Sequence, residues 1–398
     1  MLRSIYLFFA SIVTVLLLWV SIAVHTAPPI GSEEEVDGLQ AQLAYLEPRV
    51  HDGSAREMQR LFPEGEVFTQ ALYALGWCNL AARLPQGDTR RGHAIDEARW
   101  AYTQLDNKGS RAQFPISTPL PLGAFYAGWR NYVLGHIVGL GGADTTLRNA
   151  FDRQSLVIAV AFAGSSSPFL ESYTGQAWPA DALMALASLR LHEQHTGADH
   201  SAVIARWVEQ ARQRLDRNGL LPHAWFPQRD AMRNAARGSS QALMNVVLPA
   251  IDPVFASEQF TRFRDLYFSE SFGVPGVREH PIGDDAPGDV DSGPLILGFG
   301  PAATIVGAGA CRTNGDAHLA MEFEATVHGF GFRTGGEHKC YVFGAMPIAD
   351  LFMVWCRSMP CNGSYTGPSM FRRFHIWTAV LLLLIWWPVL WRWWRARR

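Results

Sequence analysis

The chain has 398 residues, of which 48% are apolar and only 18% charged, with a formal net charge of −2. That length permits two domains or one large helical barrel, and so little charge beside so much apolar surface assigns part of the sequence to lipid. A near-neutral chain has no global basic field and carries no nucleic-acid-binding signature, which excludes nucleic acid as an expected partner.

In chain order, Met-Leu-Arg is followed by an apolar stretch, residues 4–24, long enough to cross a bilayer as a helix. It reads as a membrane anchor or as a signal peptide. His25 and Thr26 spoil the small-residue pairing that a signal peptidase wants, so an uncleaved anchor is expected. Residues 25–44 read as a linker, and the main domain is expected over 45–365.

Within that domain the helical period dominates. Residues 58–84 place a turn at Pro63-Glu64-Gly65 ahead of Phe68, Leu72, Leu75, Cys78 and Leu80, close to one helix face. Helical runs follow at 93–105, 123–138, 154–163, 178–195, 202–215, 238–248, 257–269 and 295–310, most of them separated by Gly, Pro or Asn turns. Residues 106–122 are Pro-rich and read as a long ordered loop. The best strand candidate is 328–333, so an all-α domain of paired helices is predicted.

The segment 283–292 carries Asp284, Asp285, Asp289 and Asp291 and leads into 292–311, which has no ionisable side chain before Cys311. That run has the length of a membrane span. Its glycines and prolines, and the lack of flanking aromatic or basic anchors, predict a packed interior helix with Asp291-Ser292 as its N-cap. The acidic loop does not follow the order of a calcium-binding hand.

A second span is expected within 371–394, whose apolar run 376–391 has two arginines before it and four after it. Basic residues favour the cytoplasmic side, so both termini are expected there, with the main domain on the periplasmic or exoplasmic side. There are five cysteines. Cys78 reads as an inert core thiol, whereas Cys340, Cys356 and Cys361 are candidates for one disulfide in an oxidising compartment. No CxxC or metal-ligand spacing appears, and no metal or cofactor is expected.

One succession of segments has a known counterpart: YAGWRNYVLGHIVGL (126–140), ASL (187–189) with GADH (197–200), AIDPVFASEQF (250–260), VRE (277–279), GDD (283–285) and GD (315–316). It resembles the linalool dehydratase/isomerase domain over about residues 40–350. The resemblance implies an (α/α)6 barrel, a toroid of helical hairpins, and cofactor-free addition or removal of water at an allylic alcohol by an aspartate, a histidine and two cysteines. Carried over by position, the histidine falls on Trp129, the second cysteine on Asp181, and the first near Glu171-Ser172.

The candidate catalytic groups are Asp181, Asp289, Asp291 and Glu171. Asp181 opens an apolar helix behind Trp178 and Pro179, where it serves either the helix dipole or a pocket. Paired acids can donate and accept a proton across one bond, so Asp181 with Asp289 or Asp291 suits dehydration or glycoside cleavage. Candidate substrate contacts are Trp129, Trp178, His223, Arg237 and His280, each with a structural alternative as core packing, a satisfied loop histidine or a surface charge. The expected function is a membrane-anchored lyase or isomerase acting on a small apolar alcohol. Alternatives are a glycan hydrolase or lyase on the same scaffold and a non-catalytic envelope binding protein, with an oligomer compatible with each.

Overall fold

Helices buried nearly all round alternate along the chain with helices buried on one face, and this sorts the body into two layers. The computed structural model describes residues 2–289, 292–336, 338–363, 365 and 371–397. Its helices are α1 (Leu2–Ala23), α2 (Glu33–His51), α3 (Ser54–Leu61), α4 (Gly65–Arg83), α5 (Thr89–Gln104), α6 (Lys108–Ala112), α7 (Gly123–Gly139), α8 (Thr145–Gly164), α9 (Pro179–Thr196), α10 (Ser201–Arg212), α11 (Gly238–Ile251), α12 (Pro253–Tyr267), α13 (Pro301–Thr313), α14 (Ala317–Phe330), α15 (Pro347–Ser358) and α16 (Arg372–Ala396).

The inner layer is α4, α7, α9, α11, α13 and α15. In α4, 15 of 19 residues are buried, against 4 of 16 in α5. A helix apolar on every side has to be enclosed by others, whereas a one-sided helix can cover it. Accordingly α4 packs on α7, α7 on α9, α9 on α11, α11 on α13 and α13 on α15, and α15 returns to α4. Outside them, α2 covers α4 and α15, α5 covers α4 and α7, α8 covers α7 and α9, α12 lies on α11, and α14 on α13. Phe68, Phe125, Trp129 and Trp355 interlock between the inner helices, with Trp129 5.2 Å from Phe68 and 5.6 Å from Trp355.

The two layers also start differently. Side chains of Ser32, Asp88, Asp144, Asp252 and Asp316 accept backbone N–H groups at the starts of α2, α5, α8, α12 and α14. None of the inner helices has a side-chain cap from its own N-cap residue. Their first N–H groups are therefore left for loops of the rest of the chain.

Two short antiparallel ribbons interrupt the helical pattern: β1 (Ala224–Phe226) with β2 (Ala231–Asn234), and β3 (Phe268–Ser271) with β4 (Val274–Val277). The strand expected at 328–333 is not one, since α14 runs on to Phe330. The helix expected from Leu295 starts only at Pro301, because Leu297 and Gly298 take left-handed backbone conformations, φ 53° and 82°. The loop 106–122 contains the short α6. Residues 33–44, expected as linker, belong to α2, which buries Glu35, Leu39, Gln42 and Leu43. All five cysteines are free thiols. Cys340 contacts the Thr334 hydroxyl at 2.9 Å while Cys356 lies within α15 beside Gly309 of α13, so the expected disulfide has no geometry here.

α1 and α16 are long and apolar enough to cross a membrane, with mean hydropathies of 2.5 and 1.8 over windows only 11% buried. They touch one another: Trp386 Nε1 donates to Thr14 Oγ1 at 2.9 Å, and the Nε2 atoms of His25 and His375 lie 2.8 Å apart.

Candidate functional site

The loop before α9 is built to press on the start of α7. Tyr173 and Gln176 close a tight turn on each other, and Ala177 pairs both ways with Trp225 of β1. The Glu171 carbonyl accepts the Ala124 N–H at 2.9 Å, supplying α7 with the cap it lacks. Gly123 makes this approach possible: its φ is 75°, and a Cβ there would collide with the Ser172 carbonyl.

On that support, Trp178 precedes α9, Pro179 opens it and Asp181 is its third residue. A carboxylate there is favoured by the positive end of the helix dipole. Asp181 is 8% exposed and accepts the hydroxyl of the fully buried Ser172 at Oδ2, 2.5 Å away. Next to it, the Tyr173 hydroxyl donates to Glu64, which immediately precedes α4. Burial, the bond to Glu64 and the charges of Glu64 and Asp181 push the Tyr173 phenol well above its ordinary value, so it stays a proton-bearing donor. Its ring stacks on Phe114 at 5.7 Å and meets Trp178 edge-on at 5.9 Å. Glu171 lies toward solvent and accepts from Gln228 at 3.2 Å.

A second cluster caps α11. Arg237 donates from Nε to the buried Glu279 at 2.9 Å and through both terminal nitrogens to Asp289. Glu279 also accepts the Ser239 N–H at 3.0 Å and its hydroxyl at 2.8 Å, replacing the missing cap. Burial opposes the Arg237 charge, but the Asp289 bond and the Glu279 charge outweigh it and hold the guanidinium above its ordinary value. His280 contacts the Pro287 carbonyl at 3.1 Å, and Arg278 holds Asp285 at 2.7 Å. The acidic loop is thus pinned by Arg237, Arg278 and His280.

Asp181, Trp178 and Glu171 gather at the end where the inner helices begin, with His223 buried next to β1 and Arg237 and Asp289 at the start of α11. Trp129 is not with them: it is fully buried in the seventh position of α7, among aromatic rings. Asp291 lies outside the described residues. Tyr173, Glu64 and Glu279 were not singled out as site residues by the sequence, and Ser172 was reached only through the resemblance. The polar run Glu171-Ser-Tyr-Thr-Gly-Gln176 between two apolar helices was the available signal.

One group of side chains has metal-ligand proximity among the described residues, Glu47, His93 and Glu97, on the outer face between α2 and α5. Its members are already engaged: His93 with Glu47 at 3.1 Å, and Glu97 with His51 at 2.8 Å and the Tyr73 hydroxyl at 2.7 Å. No protein-family model matches the chain. No curated protein matches it either.

Proposed function

We propose that the chain is a membrane-tethered enzyme of (α/α)6-barrel architecture that removes water from, or isomerises, an apolar allylic alcohol by acid–base chemistry on its own side chains. The order in which the inner helices pack, from α4 round to α15 and back, supports the barrel. The sequence likeness to the linalool dehydratase/isomerase domain supports the reaction class. α1 and α16 are the anchors, both termini lie on the cytoplasmic side as the arginine bias favours, and the body lies beyond the membrane.

The observation that carries the reading is the buried Asp181 carboxyl, fixed by the Ser172 hydroxyl beside the Tyr173 and Trp178 rings. As the carboxylic acid, Asp181 protonates the substrate hydroxyl; the C–O bond breaks and water leaves. The allylic cation that remains is stabilised by the faces of Tyr173 and Trp178. As the carboxylate, Asp181 then takes a proton from the neighbouring carbon, the C=C bond forms, and the group returns to its starting state. Tyr173, whose own O–H donates to Glu64, orients the substrate by accepting a hydrogen bond from its hydroxyl at the phenol oxygen. Glycoside cleavage needs a second proton-transferring carboxylate, and Asp289 is a poor choice because both its oxygens are held by Arg237.

The test is turnover of linalool and geraniol by the full chain in detergent, with products separated by gas chromatography. Asp181→Asn is expected to lose about 100-fold or more of the rate with an unchanged unfolding midpoint. Full activity in that variant, or none in the parent protein on either alcohol, sinks the reading.

A further inference from the structure

The two apolar helices leave the body at a definite end. Val24 packs against Gly329 in the last turn of α14, and Phe374 meets Phe330 at 5.7 Å. Going back along α1 from Val24, Trp19 stacks at 5.6 Å on Phe332, which lies beyond the end of α14. The earlier turns of α1 therefore run outward past the end at which α14 stops and α15 begins. α16 starts beside the β3–β4 tip, where Arg373 pairs with Glu270 and Trp377 meets Phe272 at 5.8 Å.

That end is also the apolar one. Phe343, before α15, is 74% exposed; Leu297, before α13, 64%; Ile116, before α7, 80%. Leu61 at the end of α3, Phe272 at the β3–β4 tip and Ile282 in the loop after β4 are exposed as well. At the opposite end, among the described residues, the loops and helix starts expose one large apolar side chain, Val254. Apolar side chains clustered at one end mark a surface that another phase or molecule covers. The Trp19–Phe332–Phe343 stack makes this surface continuous with α1.

We propose that the end of the body where the inner helices begin rests on the lipid bilayer, with its loop side chains in the interfacial region. Aromatic and aliphatic side chains settle at that depth, and two helices emerging from the same end hold the body against it. On that footing the helix starts that carry Asp181 face the lipid, and a membrane-dissolved substrate would reach them from that side, a consequence that rests on the function proposed above, as the surface itself rests on α1 and α16 being spans.

The experiment uses the full chain in phosphatidylcholine nanodiscs containing lipids with nitroxides both near the headgroup and along the acyl chain. On a Cys361→Ser background, single cysteines replace Leu297, Phe343, Val254 and Leu16 in turn and carry a bimane label. The Leu297 and Phe343 labels are expected to lose about half their fluorescence, as Leu16 does, while Val254 stays bright. If Leu16 is quenched but both loop labels stay as bright as Val254, the surface is wrong although the spans are right. If Leu16 is bright too, the spans fail and the surface with them. No turnover is measured, so a failed activity assay leaves this outcome standing.

Discussion

At their C-terminal ends, α4, α13 and α15 each place an arginine in the last turn, Arg83, Arg312 and Arg357, where the helix dipoles are negative. Glu35 of α2 and Glu324 of α14 meet them there: Arg312 bonds Glu324 at 2.5 Å and Glu35 as well, Arg83 bonds Glu35 at 2.7 Å, and Arg357 approaches Glu324 at 3.4 Å. At the other end the positive helix starts of α9 and α11 are met by Asp181 and Glu279, with Ser172 and Arg237 as partners. The charges at the first end are closed on one another in the interior. Those at the second reach solvent through Asp289, whose side chain is about half exposed, and are flanked by exposed apolar loops. A folded chain can keep its solvent-reaching polar groups at one end because the other end holds the layers together.

The largest test of this contrast is Arg312→Met. Arg312 is fully buried; burial alone would discharge it, and the two glutamates instead hold its guanidinium above the ordinary value. Removing it leaves Glu35 and Glu324 as buried charges short of a partner, which costs about 3–5 kcal/mol. Urea unfolding of the full chain in detergent measures it. A loss below about 1 kcal/mol would show that this end is no more closed than the other.

At the start of α15, and so at the second end, lies a pair that makes stability depend on pH. Asp350, bonded by Gln42 at 2.7 Å and by the Tyr341 N–H at 3.1 Å, is raised by burial from 3.8 to about 7. Lys339 is lowered by burial, and by the charges of Arg357 and Arg333, from 10.5 to about 6. A carboxyl raised in the folded state favours folding most at low pH; that contribution is lost as pH rises from about 4 to about 7 and is then constant. A lysine lowered in the folded state gives the opposite limb, stability rising from about pH 6 toward 10.5. Asp350→Asn is expected to flatten the acid limb by up to about 4 kcal/mol between pH 4 and 7, and Lys339→Met to flatten the alkaline one. Parallel pH profiles for parent and variant would remove the pair from this role.

The contrast between the ends was only partly legible in the sequence. α7, Gly123–Gly139, coincides with the expected 123–138 because a continuous apolar run between glycines is a local signal. Asp181 and Arg237 were legible as groups at helix starts for the same reason. Their partners were not: Glu279 lies 42 residues from Arg237, and Glu35 lies 277 from Arg312, distances at which no helical period carries information. The ribbons were missed because Phe272-Gly273 and Pro227–Arg229 are not the Asn-Gly type of turn by which hairpins are recognised. Trp129 reads from the sequence as a substrate contact because a tryptophan beside polar neighbours looks the same whether it lines a cavity or fills one.

The smallest expected effect sharpens the open end. Tyr173→Phe deletes the hydroxyl that bonds Glu64 but keeps the ring on Phe114 and Trp178. Glu64 is only half-buried, so water replaces the lost donor and the cost is about 1 kcal/mol. If Tyr173 orients the substrate oxygen, turnover falls about tenfold, since one hydrogen bond to the reacting group is removed. A rate loss with the unfolding midpoint nearly unchanged separates this residue from Arg312, where stability is the first thing to go. A stability loss as large as that of Arg312→Met would mean that both ends are closed alike, and the division of labour between them would not hold.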